Sequence, residues 1–288
     1  ANLLAFQPEE RIAGVIGWPV AHSLSPALHN AAFRAAGLDA HYAAFAVAPG
    51  RAGAALDAVR TLGLLGLSVT TPHKEDVAAA VDELSAAAAA LRSVNTVVVA
   101  PDGRLVGHST DGDGFVAALA AEGIAVPGAR LALLGAGAAA RSVIDALGRA
   151  GAGDVAVLNR SPDRARAAAA LAAVARVGDL RDLSAADVVV NATSVGMGSE
   201  ESPVEGSALR PGQVVADLVY HPLDTMLLRL ARERGCRRVD GLGMLVHQAA
   251  LQQVLWTGVR PDPAVMRAAA EAELARRAEA TGTRGSNL

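Results

Sequence analysis

The stretch LALLGAGAAAR at 131–141 constrains this chain more than any other. Four apolar residues run into Gly135-Ala136-Gly137, and Ala138-Ala139-Ala140 then open a segment of strong helix formers. A second apolar run, DVAVL at 154–158, ends at Asn159-Arg160-Ser161. Strand, glycine turn, helix and strand in that order are the layout of a dinucleotide-binding βαβ unit. Gly135 lets the chain turn tightly out of the strand, Gly137 omits the Cβ that would block a pyrophosphate, and Ala140 lets helix and strand approach closely. Phosphates would rest on the helix N-terminus, where free N–H groups and the dipole favour negative charge. The plainer reading is an ordinary glycine-rich turn, since alanine-rich sequence produces such strings by chance. The correctly spaced strands on both sides argue against it.

The end of the second strand selects the dinucleotide. A free ribose 2′-OH usually meets an Asp or Glu about 20 residues beyond the glycines. Here Asn159 and Arg160 stand at that point, with Arg164 one helical turn on. A carboxylate would repel a 2′-phosphate, whereas guanidinium groups hold one through charge-assisted hydrogen bonds. NADP is the expected cofactor. The alternative leaves Arg160 and Arg164 as solvated surface residues.

Composition narrows the class. The 288 residues are 52% hydrophobic and 19% charged, enough for one large or two modest domains. A net charge of -3 and an aromatic content of 3% provide neither a basic field nor a stacking platform for nucleic acid. The single cysteine, Cys236, excludes an intramolecular disulfide and the usual zinc clusters, so no metal is expected. No apolar run reaches the roughly 20 residues that span a bilayer, and no signal-peptide pattern opens the chain. These features predict a cytoplasmic protein with no membrane partner.

Along the chain, 12–17 reads as a strand broken at Trp18-Pro19, and VAHSLSP at 20–26 as a loop. Pro26 opens a helix to about Gly37, with Ser25 as its cap. A strand at 41–47, a helix from Arg51 to about Leu62, and a strand at 66–71 ended by Pro72 follow. The next helix begins near Lys74, Asp82–Leu91 is expected to be helical, and 93–111 forms a hairpin turning at Asp102-Gly103. A helix from Gly112 leads into the dinucleotide unit, and strands recur at 187–194, 213–220 and 236–241. Helices are expected over 242–257 and from Asp262 to Ala280, before a disordered tail at 281–288. Alternating strands and helices predict an α/β layer architecture.

Four polar clusters punctuate this frame: His22-Ser23-Leu24-Ser25-Pro26, Val69-Thr70-Thr71-Pro72-His73-Lys74, Ser93-Val94-Asn95-Thr96 and Ser109-Thr110-Asp111-Gly112. With GAGAAAR, NRS, NATSVGM, LVYHPLDT and GLGMLVHQ they occur in the order found in the shikimate dehydrogenase family, which the chain resembles from 14 to 250. The resemblance implies a two-domain α/β protein. A mixed α/β substrate domain at 1–112 is completed by 242–288, and a Rossmann-type parallel-sheet NADP domain occupies 113–241. It implies NADP-dependent, reversible hydride transfer reducing 3-dehydroshikimate to shikimate, in a monomer or homodimer with a small-molecule substrate.

Lys74 and Asp111 match the family's pair at the reacting carbon. Their chemistry has an independent rationale, because hydride addition to a ketone builds negative charge on oxygen that a nearby cation or proton donor stabilises. Which of the two transfers the proton is left open; the plainer reading makes Lys74 a solvated residue at a helix start. Ser23 and Ser25 match hydroxyls on the substrate carboxylate, Thr70 and Asn95 match contacts to ring hydroxyls, and Tyr220 and Gln248 match further substrate contacts. Toward the cofactor the resemblance implies Gly135, Ala136, Gly137, Ala138, Ala139, Asn159, Arg160, Ser161, Arg164, Thr193, Leu218, Gly241 and Met244. His22 and His73 read as loop residues.

Two positions depart from the family pattern, Ser68 and Ser109, where Asn is usual. Ser68 could widen the substrate pocket or admit a water, and Ser109 could alter how the Asp111 loop is braced. The polar loop 197–205 is expected to be mobile and to flank the nicotinamide. Paralogues acting on quinate or amino-shikimates, and a non-catalytic dinucleotide-binding regulator, are the alternative functions.

Overall fold

Short apolar strands assemble into two separate six-stranded sheets. The computed structural model describes residues 11–285. The first sheet takes β1 (Arg11–Gly17), β2 (Ala40–Ala46), β3 (Gly66–Val69), β4 (Glu83–Leu84), β5 (Thr96–Val99) and β6 (Leu105–His108), in spatial order β2-β1-β3-β5-β6-β4. Helices α1 (Ser25–Ala35), α2 (Ala52–Leu62), α3 (Lys74–Ala80) and α4 (Ala86–Leu91) connect them. β1 pairs in parallel with β2 and β3, where helices make the crossings. The β5–β6 hairpin is antiparallel, and Gly103 in its turn has a φ of +86°, a region glycine enters without steric cost.

The second sheet comprises β7 (Arg130–Leu134), β8 (Asp154–Leu158), β9 (Ala175–Val177), β10 (Val188–Asn191), β11 (Val214–Asp217) and β12 (Arg237–Val239). Every pairing in it is parallel, in the order β12-β11-β10-β7-β8-β9. Its helices are α5 (Asp111–Ala121), α6 (Ala138–Arg149), α7 (Pro162–Ala169), α8 (Leu180–Ala185) and α9 (Met226–Glu233). Both faces are buried, which explains the near-continuous apolar strands. Leu131, Leu133, Val155, Val157, Val188 and Val190 face one core, while Ala132, Leu134, Ala156, Leu158 and Val189 face the other.

The last helices are α10 (Gly241–Thr257) and α11 (Pro263–Gly285). The chain divides into two compact units, Ala1–Thr110 with Ala249–Leu288, and Asp111–Gln248. The divisions thus fall at 110/111 and within α10 at 248/249, against 112/113 and 241/242 read from the sequence. Gln248, at the end of the first stretch of α10, packs on Gly114 of α5. Trp256, in the last turn of α10, donates from Nε1 to the Val97 carbonyl at 2.9 Å.

Three expectations are corrected. Asp82–Leu91 is not one helix: Asp82 accepts the Leu105 N–H at 2.6 Å and Arg60 at 2.7 Å, so β4 pairs with β6, and the helix waits for the Ser85 cap. Ser25 is not the cap of α1. It is the first helical residue, is buried, and its N–H donates to Ser23 Oγ at 3.2 Å. The tail expected to be disordered is helical to Gly285, and 286–288 lie outside the described residues.

Candidate functional site

Counting from β7, the second sheet has the order 3-2-1-4-5-6, which places a topological switch point between β7 and β10. Ligands of open parallel sheets bind outside the strand C-termini at that point. A cavity of about 960 Å³ lies there, reaching Gly135, Ala136 and Gly137 after β7, Asn159 and Arg160 after β8, and Thr193 after β10. Gly135 turns the chain with a φ of +114°, and a Cβ on it would come within 2.9 Å of the Ala192 carbonyl. Gly137 differs: a Cβ there would meet nothing within 4 Å and would project into open space. Gly137 is also the cap of α6, and no side chain caps that helix, so its first N–H groups are open to an anion. Ala140 is fully buried against the sheet.

Arg160 is exposed at the cavity, and neither it nor Arg164 has a carboxylate partner among the described residues. Asn159 Nδ2 donates to the Ser161 carbonyl at 3.0 Å, and Ser161 Oγ caps α7 by accepting the Arg164 N–H. Asp179, after β9, also lines the cavity. It is taken up by Arg181 and the start of α8, and hydrogen bonds from the Arg181 side chain hold its carboxyl down to about 2. A glycine turn, an uncapped helix start and unopposed guanidinium charge fit a dinucleotide bearing a 2′-phosphate.

The cavity lining omits Ala138, Ala139, Ser161, Arg164, Leu218, Gly241 and Met244. Ala138 and Ala139 form the first turn of α6. Leu218 and Met244 are half-buried against the sheet core, and Gly241 allows contact with the Leu218 and Val219 carbonyls. The sequence reading missed Leu180, Ser194 and Ser202-Pro203, which line the cavity. Only the polar loop 197–205 gave a signal for the last pair.

In the other unit, backbone hydrogen bonds join the polar clusters. The Lys74 carbonyl accepts the Val94 N–H at 3.0 Å, which puts the start of α3 beside Asn95. Asn95 is buried: its Nδ2 donates to Thr110 Oγ1 at 2.9 Å, and its Oδ1 accepts Thr96 Oγ1 at 2.8 Å and the Thr110 N–H at 2.9 Å. Thr110 therefore braces the segment leading to Asp111. Thr70 is half-buried after β3. Ser23 carries its loop toward α11, where Arg277 donates to the His22 and Ser23 carbonyls at 2.6 and 3.0 Å. No local sequence signal marks Arg277 for that contact.

The Ser68 hydroxyl is fully engaged within the protein. It accepts from Tyr42 at 2.6 Å and donates to Gln252 Oε1 at 2.7 Å, and Gln252 Nε2 continues to Thr96 Oγ1 at 3.0 Å. His73 lies in the loop just before α3, as read from the sequence. It is fully buried, and because a carbonyl only accepts, its Nε2–H donates to Val47 O at 2.7 Å. In the second unit, Asp111 opens α5, Tyr220 is half-buried after β11, and the buried Gln248 donates to the Leu245 carbonyl at 2.9 Å. Among the described residues no cluster of three His, Cys, Asp or Glu side chains could hold a metal, and no helix is long and apolar enough to cross a membrane.

Comparison with known proteins follows the same division. The family model described as shikimate dehydrogenase substrate binding domain matches 15–97, shikimate/quinate 5-dehydrogenase matches 118–203, and shikimate 5′-dehydrogenase C-terminal domain matches 241–271. The shikimate dehydrogenase (NADP(+)) of Thermococcus kodakarensis is 47% identical over 269 residues, covering 91% of this chain and 96% of that one. The solved shikimate 5-dehydrogenase of Thermus thermophilus, in complex with NADP(H) and shikimate, is 40% identical with a TM-score of 0.86, covering 91% and 99%. Quinate dehydrogenase of Corynebacterium glutamicum, in complex with NAD, is 33% identical with a TM-score of 0.84, covering 90% and 98%.

Proposed function

The chain belongs to the shikimate dehydrogenase family, and on that premise we propose that it interconverts shikimate and 3-dehydroshikimate with NADP as cofactor. The observation that carries the reading is the switch-point cavity, where open Gly137, the uncapped start of α6 and unopposed Arg160 suit a 2′-phosphorylated dinucleotide. When bound, the nicotinamide supplies the hydride for reduction and receives it for oxidation. The protein's contribution is charge and position. Lys74 stabilises the negative charge that grows on the carbonyl oxygen during reduction, and Asp111 is the second member of the proton-handling pair. Ser23 and Ser25 receive the substrate carboxylate, Thr70 and Asn95 the ring hydroxyls, and Tyr220 and Gln248 add contacts. Asn95 acts from a rigid frame, because Thr96 and Thr110 already orient its amide. A site that hydrogen-bonds several hydroxyls rejects analogues lacking them.

We assign substrate binding to 1–112 with 242–288, and NADP binding to 113–241, in a cytoplasmic monomer or homodimer. On the cofactor side, Gly135 to Ala139, Asn159 to Ser161, Arg164, Thr193, Leu218, Gly241 and Met244 complete the assignment. Initial rates with shikimate or quinate, each with NADP+ or NAD+, test the activity. Fast turnover with shikimate and NADP+ is expected, with Lys74→Ala slower by about a hundredfold or more and Arg160→Ala impaired toward NADP+ but not NAD+. Faster turnover with quinate or NAD+ would move the protein to a paralogous activity. Silence in all four combinations would refute the proposal.

A further inference from the structure

The ends of β10 and β11 carry a buried polar hub that the proposed contacts do not use. Asn191 and Asp217 are register partners at the C-terminal ends of these strands, 0% and 1% exposed. Asp217 Oδ1 accepts Asn191 Nδ2 at 2.8 Å and the Val219 N–H at 3.0 Å, while Oδ2 accepts Thr225 Oγ1 at 2.7 Å. Thr225, also fully buried, caps α9 through the Leu228 N–H. On its other side Asn191 Oδ1 accepts the Thr193 N–H at 3.1 Å and the Thr193 hydroxyl at 2.7 Å, and Asn191 Nδ2 also donates to the Val195 carbonyl. One carboxylate thus ties together the loop after β10, the loop after β11 and the start of α9.

Stability alone is a poor reason for such a group. Burial raises the pKa of the Asp217 carboxyl, because taking a charge out of water is costly. What apolar residues cannot supply is direction: three donors converging on two oxygens fix where each loop leaves its strand. Those loops carry Thr193 and Leu218. We propose that Asp217, acting through Asn191, is a positioning residue that sets the loops holding NADP(H), so that its loss weakens cofactor binding and slows turnover. The inference rests on the reading of Thr193 and Leu218 as cofactor contacts.

The test measures NADPH affinity directly by cofactor fluorescence, beside kcat, KM and thermal unfolding, for Asp217→Ala, Asp217→Asn, Asn191→Ala and the double alanine variant. In Asp217→Asn the new amide oxygen can keep both Oδ1 bonds, and the amide nitrogen can donate to Thr225 Oγ1 in place of accepting from it. Asp217→Ala is expected to weaken NADPH binding by about tenfold or more and to lower kcat. Asp217→Asn should restore binding to within about threefold of the parent, and the double variant should be no worse than Asp217→Ala, as expected of one coupled network. A lowered melting temperature with NADPH affinity and kcat unchanged would overturn the proposal, as would additive losses in the double variant. If Asp217→Ala fails to fold, Asn191→Ala decides, because it cuts the link to Thr193 and leaves the Thr225 and Val219 bonds. Unchanged NADPH affinity there also overturns it. Fluorescence titration needs no turnover, so failure of the shikimate activity and failure of this inference are separately visible.

Discussion

His29 shows what burial does to a single residue. Its ring stacks on Tyr42 at 4.3 Å and lies 5.3 Å from Trp256, and it is fully buried. Gln252 and Gln253 approach without completing a hydrogen bond, so neither ring nitrogen has a partner among the described residues. Desolvation pushes its pKa down from 6.5 to about 3. Above pH 6.5 neither the folded nor the unfolded state binds this proton. As the pH falls from there toward 3, the unfolded imidazole takes a proton that the buried one refuses, so stability drops by up to about 1.4 kcal/mol per pH unit. His29→Leu should flatten that slope by one proton and cost little at neutral pH, since it removes two unpartnered buried polar atoms. Urea unfolding at pH 7, 6 and 5 checks this. Both tryptophans, Trp18 and Trp256, lie in the unit that holds His29, so their fluorescence reports on it. An unchanged slope in the variant would reject the account.

At the scale of elements, glycines separate binding from packing. A Cβ on Gly137 would enter open space at the start of α6, whereas a Cβ on Gly112 of α5 would lie 2.0 Å from the Ser142 carbonyl in α6. Gly137→Val is therefore expected to weaken NADPH binding while leaving the melting temperature within a few degrees. Gly112→Val should lower it sharply, because backbone cannot move aside as a side-chain tip can, and overpacking typically costs about 1–3 kcal/mol. Paired titration and melting curves distinguish the two; the opposite pattern would show that the α6 start is not where the cofactor phosphates rest. The same contrast governs the helices themselves. Asp82 looks like a helix start, but it is claimed by Leu105 and Arg60, and Ser85 caps the helix instead.

For the molecule as a whole, the two sheets assign ligand protection to definite stretches. A ligand that binds only the folded state at about 100 times its Kd adds roughly 2.7 kcal/mol of stability. With saturating NADP+, slowed hydrogen exchange is expected within Asp111–Gln248, strongest at 135–139, 159–161 and 191–196. Mass-spectrometric exchange reads this out, and absence of protection at those segments would contradict the cofactor site.

What the sequence by itself determined was local and periodic. Strand alternation, the spacing of Gly135 and Gly137, the carboxylate-free end of β8 and the Asp102-Gly103 turn each express a constraint among near neighbours, so they were legible without coordinates. Tertiary structure decided which polar group meets which. Ser25 looked like a cap but is drawn into the core beside Ser23. Ser68 looked like a change in pocket size but is held between Tyr42 and Gln252, the latter 184 positions away. His73 is the loop residue it looked like, but nothing near it in sequence marked its burial or its bond to Val47, and NATSVGM and QVVADLVY gave no hint that Asn191 and Asp217 pair across adjacent strands. The physical reason is one of range. Backbone propensity and apolar period act over a few residues, whereas a buried donor must find its acceptor wherever the fold delivers one.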